Sequence, residues 1–285
     1  MSQSTASPPP ADATYTMGRT GAETERLIKQ AGLRNVSTRR LFEDAGLRPG
    51  MTVLDVGSGA GDVALLVAEL VGPTGAVVGV DVNPAVLVTA RERAVARGLG
   101  QVRFLEGDVR TIALPDDFDA VVGRLVLLYV GDPVEAVRAA ASHVRPGGIV
   151  AFQEADWTLL YAWGAAGFLP PLRTQLSTWA YRVYEQSGAQ VSMGMALHRT
   201  FVDAGLGPPE MSLHAPVGGA PDWPGFDLMA DGVRSVLPLL EQYGIATAAE
   251  VEVETLAARL CAEVGTSSMP LVLFPLVGAW ARKPG

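Results

Sequence analysis

The stretch Met51–Asp81, MTVLDVGSGAGDVALLVAELVGPTGAVVGVD, decides the fold. Met51 to Val56 is a short apolar run with the length and flanks of a buried parallel strand. Gly57-Ser58-Gly59-Ala60-Gly61 is a turn almost without side chains, so backbone N–H groups and the start of the next helix can come close to a ligand. Asp62 to Val71 places Ala64, Leu65, Val67, Ala68 and Val71 at helical spacing, and Gly72-Pro73 stops that helix. Ala76 to Val80 is a second apolar strand, ending on Asp81. A carboxylate at the end of a buried parallel strand faces the crevice where α/β sheets bind ligands, and it can accept two hydrogen bonds from a ribose diol. The simpler alternative is that Asp81 caps the following helix. The assembled unit points to a nucleoside-type cofactor.

The dinucleotide fingerprint requires its third glycine three residues after the second. Here Gly61 follows Gly59 by two, and Asp62 comes next. Asp55, on the strand before the turn, would repel a pyrophosphate but suits the ammonium group of an amino acid. Both features disfavour NAD. VLDVGSGAG followed by VGVD resembles the first two motifs of class I S-adenosylmethionine-dependent methyltransferases. The resemblance covers residues 47–155 strongly and the remainder weakly. It implies a Rossmann-like α/β fold with a seven-stranded sheet, the last strand antiparallel, and S-adenosyl-L-methionine as cofactor. It places Gly57, Ser58, Gly59, Gly61, Asp81, Val82 and Asn83 around that cofactor. Glu106-Gly107-Asp108-Val109 looks like the family's adenine motif, with the Asp108 carboxylate and the Val109 N–H facing the base beside Gly107. No Asn/Asp-Pro-Pro-Tyr/Phe stretch follows the fourth strand, which disfavours amino-methylation of nucleic acids or of protein glutamine.

Composition narrows the partners. The 285 residues are 48% hydrophobic and 18% charged, enough for a large core, and the net charge of −8 argues against a broad basic nucleic-acid surface. The single cysteine, Cys261, excludes an intrachain disulfide, and three histidines without H-x-x-x-H spacing make a zinc site improbable. No metal is expected. The polar, proline-rich start does not read as a signal peptide, and apolar runs are broken before ~20 residues, so a cytoplasmic protein without a membrane span is expected.

Residues 1–13 read as a disordered tail and 14–46 as an N-terminal helical lid, with helices expected over about 21–31 and 35–45. Tyr15 and Arg19 lie just before the first of these, where Tyr15 can cover the cofactor and Arg19 can pair with its carboxylate. Residues 47–285 form the core, interrupted at about 157–190 and 218–266. Asp117 to Gly123 is the fourth strand, and Arg124 beyond it is a charge among apolar residues that needs a partner: a cofactor carboxylate, Asp55 or Glu154. Ile149 to Gln153 is the fifth strand, and Glu154 at its end can serve as a base or fix the acceptor's orientation. His198, on a helix from Gly194 to Ala204, is a second candidate base. The first insertion is rich in aromatics, with an amphipathic helix carrying Leu172, Leu176, Trp179, Ala180 and Val183. It reads as an acceptor lid, with Tyr129, Trp157, Tyr161 and Trp179 as substrate contacts. A capping box at Thr247–Glu250 should open a helix running to about Val264, and Pro270 to Ala281 should be the last strand.

The expected function is methyl transfer to a small, partly hydrophobic acceptor of the secondary-metabolite kind, by a monomer or homodimer. Two alternatives stand beside it. One is a non-methylating pericyclase or decarboxylase on the same fold; the other is a methyltransferase acting on protein or RNA.

Overall fold

A helix over residues 34–45 (α1) delivers the chain to β1 (Thr52–Val56), and the glycine turn then feeds α2 (Asp62–Val71). The computed structural model describes residues 12–13, 34–115, 117–267 and 269–285. The helix expected over 21–31, Tyr15 and Arg19 lie outside the described residues. There follow β2 (Ala76–Asp81), α3 (Pro84–Ala96), β3 (Val102–Glu106), β4 (Phe118–Arg124), α4 (Pro133–Ser142) and β5 (Val144–Ala155). The helix starts follow the sequence. Asn83 accepts a hydrogen bond from the Ala85 N–H and Asp132 one from the Glu135 N–H, each with proline at the first helical position. The chain then runs through α5 (Trp157–Ala165), α6 (Pro171–Gln186), α7 (Met193–Asp203), β6 (Glu210–His214), β7 (Val217–Gly218), α8 (Gly225–Gln242), α9 (Ala248–Val251), α10 (Leu256–Ser267), β8 (Leu271–Val272) and β9 (Leu276–Arg282).

The main sheet has seven strands in the order β3-β2-β1-β4-β5-β9-β6, with β9 antiparallel to both neighbours. The order reverses between β1 and β4, the switch point where α/β sheets open a crevice. The glycine turn leaves β1 at that point. Side chains alternate between two apolar layers. Val53, Val122 and Ala151 face one, and Leu54, Val121 and Val150 face the other. This is the pattern of a sheet covered by helices on both faces. A third cluster, built from α6, α8 and α10, is the core of a helical lid.

Three expected elements change. The helix opened by the Thr247–Glu250 capping box stops after one turn, because Glu252 takes a left-handed conformation (φ 46°), and α10 starts afresh. The last strand begins at Leu276, since Leu271–Val272 pair with Val217–Gly218 in a separate two-stranded ribbon. Arg145-Pro146-Gly147-Gly148 sits inside β5 as a register shift rather than before it.

Glu154 holds the segment after β4. Its Oε1 accepts from the N–H groups of Val126 (3.0 Å) and Leu127 (2.9 Å), and its Oε2 from Leu128 (3.3 Å). These three donors open a short 3₁₀ turn, Leu127–Tyr129, and have no strand or helix partner of their own. Burial pushes the Glu154 carboxyl up to about 7, against the opposing effect of the three N–H groups.

Two predictions follow from this core. Phe152 is fully buried and meets Phe201 edge-to-face at 6.4 Å. Phe152→Ala should cost about 3–5 kcal/mol, read from a urea midpoint with unchanged slope. A cost below about 1 kcal/mol would refute the packing described. Glu154 is raised on folding from 4.5 to about 7, so the folded state holds a proton the unfolded chain releases. Stability should therefore be highest below about pH 4.5 as far as this group is concerned, and fall as pH rises toward about 7, by up to roughly 3 kcal/mol. Glu154→Gln should flatten that slope in urea titrations between pH 5 and 8. Parallel slopes in the two proteins would refute it.

Candidate functional site

The glycine turn is shaped by backbone constraint. Gly57, Gly59 and Gly61 all have positive φ (65°, 51° and 86°). A Cβ on Gly57 would lie 2.5 Å from the Val126 side chain, whereas a Cβ on Gly59 would meet only open space. The turn is thus closed on its Val126 side and open at Gly59, where a ligand can approach the main chain. Asp81 orders the turn by accepting from the N–H groups of Gly59 (2.8 Å) and Asn83 (2.8 Å). It therefore braces its own loop. Val82 is exposed, and the Gly107 N–H donates to the Asp81 carbonyl, which ties the β2 and β3 ends together.

Asp55 and Ser58 are buried, and the Asp55 carboxylate oxygens and Ser58 Oγ lack hydrogen-bond partners among the described residues. Burial pushes the Asp55 carboxyl well above its ordinary value. The Arg124 charge opposes this, and the Ala64 N–H contributes weakly from outside hydrogen-bonding geometry. Arg124 forms no ion pair with Asp55 or Glu154. Its Nη1 donates to Asn35 Oδ1 (3.0 Å) and Thr38 Oγ1 (2.9 Å), both on α1, and Thr38 Oγ1 lies 2.7 Å from Gln153 Oε1. Burial lowers the Arg124 guanidinium, while Asp62 and Asp55 oppose the shift at longer range. A buried carboxyl without a hydrogen-bond partner and a guanidinium bonded to neutral groups, among the described residues, thus flank the turn. The pair suits the ammonium and carboxylate of an amino-acid moiety, so the residues present fit S-adenosylmethionine.

Asp108 is held by Arg110, Nε to Oδ1 at 2.9 Å and Nη2 to Oδ2 at 2.5 Å, and this contact keeps its carboxyl below the usual range. Arg110 also pairs with Asp12 (2.7 Å), which in turn accepts from the Gly131 N–H (2.9 Å). Asp12 and Ala13 are therefore pinned across the crevice edge, not part of a loose tail. Val109 is buried.

Next to the turn lies a cavity of about 160 Å³. Leu125, Leu128 and Tyr129 wall it after β4, Ala155 and Trp157 after β5, and α6 and α8 close it from the lid. Leu125 is left-handed (φ 57°), a strained conformation for a leucine, and it turns the chain into this wall. Trp157 stacks on Tyr184 at 4.4 Å, and Trp179 lines the lid side. Two expected site residues stand elsewhere. Tyr161 is 43% exposed, stacked on Tyr181 outside the cavity, because Leu160 takes the inward position on α5. His198 is exposed on α7, whose buried face carries Met193, Gly194, Leu197, Thr200 and Phe201. Glu154 and Asp156 are not a surface pair. Both are fully buried, Glu154 does not line the cavity, and Asp156 caps α5 at Leu159 N–H and accepts from Met195 N–H. Sequence reasoning missed Asn35, Thr38 and Arg173. Only Arg173 left a signal, a charge on the lid helix beside the apolar stripe. Among the described residues no group of three or more His, Cys, Asp or Glu is arranged to hold a metal.

Comparison with known proteins agrees with this geometry. The sequence profile of a methyltransferase domain matches residues 47–195. A ubiquinone/menaquinone biosynthesis C-methyltransferase of Ectopseudomonas mendocina is 36% identical over 123 residues, 42% of this chain and 48% of that protein. One from Pseudomonas fluorescens is 34% identical over the same length and shares. The chain spans about half the length of these curated relatives. Among solved structures, the YcgJ protein from Bacillus subtilis aligns with a TM-score of 0.54 at 18% identity, covering 90% of this chain and 99% of that one. The Bacillus halodurans C-125 protein BH2331 aligns with a TM-score of 0.55 at 18% identity, covering 86% and 98%. These two likenesses establish the fold. With the profile spanning over half of its length, the chain belongs to the S-adenosylmethionine-dependent methyltransferase family.

Proposed function

We propose that this chain transfers a methyl group from S-adenosylmethionine to a small, partly apolar acceptor held in the lid cavity. The observation that carries the reading is placement. The aromatic-walled cavity opens on Leu125–Tyr129, the segment whose Val126 packs against the glycine turn. When bound, the cofactor would supply an electrophilic sulfonium methyl group: the acceptor would bond to the methyl carbon in line as the carbon–sulfur bond breaks, leaving the electron pair on S-adenosylhomocysteine.

The chain's own residues have separable tasks. Gly57, Ser58, Gly59 and Gly61 bring main chain to the cofactor, and Asp81, with Val82 and Asn83, receives its ribose. Asp55 takes the ammonium and Arg124 the carboxylate, with Asn35 and Thr38 fixing the guanidinium. Gly107, Asp108 and Val109 meet the adenine, so Arg110 must share Asp108 with it. Tyr129, Trp157 and Trp179 wall the acceptor, orienting it and keeping water out, which is most of what such a transfer needs. Glu154 acts as a positioning residue through the 126–128 backbone rather than as a base. The relatives named for ubiquinone/menaquinone biosynthesis lend support to an aromatic acceptor. Their match covers 42% of this chain, so the cavity of this lid sets the acceptor here. Residues 47–285 serve as the core and α1 as part of the N-terminal cover. Among the described residues no helix is long and apolar enough to cross a membrane, and we place the enzyme in the cytoplasm.

Calorimetric titration should give micromolar binding of S-adenosylmethionine and none of NAD. Asp81→Ala should weaken binding at least about tenfold, the value of one or two lost charge-assisted hydrogen bonds. Gly59→Val should abolish it by straining the turn and filling its open side. Unchanged affinity in both variants would overturn the site.

A further inference from the structure

The cavity wall contains a charge that its surroundings do not answer. Arg173, on the first turn of α6, is 3% exposed and lines the cavity. Its Nε donates to the Val272 carbonyl at 2.8 Å. Its two terminal nitrogens make no hydrogen bond, and no carboxylate pairs with it, among the described residues. Glu263 on α10 lies close in the fold but is engaged with the Leu172 N–H at 2.7 Å. A second donor in the same wall, Trp157 Nε1, is buried without a partner among the described residues. The rest of the wall is mainly aliphatic and aromatic, as at Leu176, Trp179 and Val233.

Burying a guanidinium in such surroundings is costly unless something pairs with it. Burial pulls it down to about 9, and Glu263, whose Oε2 is buried without a partner among the described residues, makes no ion pair with it. With Nε committed to a carbonyl, the fork that remains consists of the two terminal nitrogens. That fork matches the two oxygens of a carboxylate. The cavity volume of about 160 Å³ compares with cavities that hold one benzene-sized ring.

We infer that the acceptor is a carboxylic acid with a compact apolar or single-ring body, its carboxylate seated on the terminal nitrogens of Arg173 and its body against Trp157, Trp179 and Leu176. The inference rests on the acceptor reading of this cavity and names the substrate class for it. Arg173 would then anchor the acceptor at the end remote from the reacting atom.

The test uses the full chain saturated with S-adenosylhomocysteine, titrated with 3-phenylpropanoate and, separately, with its neutral counterpart 3-phenylpropan-1-ol. The carboxylate should bind at least about tenfold more tightly, the scale of hydrogen bonds to charged groups. Arg173→Met should erase that preference while leaving S-adenosylhomocysteine affinity unchanged. Arg173→Lys, which keeps the charge but not the fork, should retain part of it and serves if the methionine variant does not fold. Equal affinity for the two probes, absence of carboxylate binding, or a preference that survives in both variants overturns the inference. Because S-adenosylhomocysteine binding is measured separately, its loss in the unaltered protein would sink the cofactor reading instead.

Discussion

The N–H groups of Val126, Leu127 and Leu128 must be satisfied where the chain leaves a parallel strand and has not yet entered a helix. They are not paired in a strand ladder, and Leu127 and Leu128 are buried. The neighbouring strand answers with one side chain, Glu154, whose carboxylate takes all three. Two neighbouring surfaces follow from that junction. Val126 is set against Gly57, which closes one side of the glycine turn, and Leu125 and Tyr129 are set into the wall of the lid cavity. The glycine turn and the lid cavity therefore share a stretch of backbone that Glu154 fixes.

The electrostatics of the molecule repeat one theme. Among the described residues, Asp55 is a buried acid without a hydrogen-bonded cation, Arg124 is bonded only to neutral groups on α1 and Arg173 has a carbonyl for its sole partner. Each arrangement is unfavourable in the folded chain alone, because a buried charge loses its hydration without gaining an equal partner. Surface charges elsewhere are paired in the ordinary way, as Arg39 with Glu69 and Arg145 with Asp119. The unanswered charges cluster on either side of the Leu125–Tyr129 segment. Stability given up in this way is recovered only by molecules that bring the complementary groups, which is how an active site departs from the rules that govern the rest of a core.

How much of this the sequence discloses depends on whether the determinants are local. The strand, glycine turn, helix and second strand of Met51–Asp81 are legible because each depends on neighbours in sequence, and the family resemblance extends the reading to the sheet order. The lid helices are legible as amphipathic segments. Arg124 is recognisable as a charge in need of a partner, but Asn35 and Thr38 lie 89 and 86 residues away, and nothing local ties them together. His198 and Tyr161 point away from the cavity because helical rotation places Leu197 and Leu160 inward. Glu154 stands at the end of the fifth strand, where the sequence suggests a base, yet serves the main chain, since hydrogen-bond demand in a turn has no sequence pattern. The break at Glu252 and the β7–β8 ribbon likewise arise from tertiary placement.

The lid has its own apolar cluster, in which Leu176, Trp179 and Val183 of α6 meet Phe226, Val236 and Leu240 of α8 and Leu256, Leu260 and Val264 around α10. None of these residues belongs to the two layers that cover the sheet. The molecule is therefore modular in an evolutionary sense. Replacing Leu176 or Trp179 of α6, or Val236 or Leu240 of α8, draws on the packing of the lid, whereas Tyr184 of α6 belongs to the sheet-side cluster. A lineage carrying this fold can vary those lid residues while the sheet and its glycine turn keep their own packing.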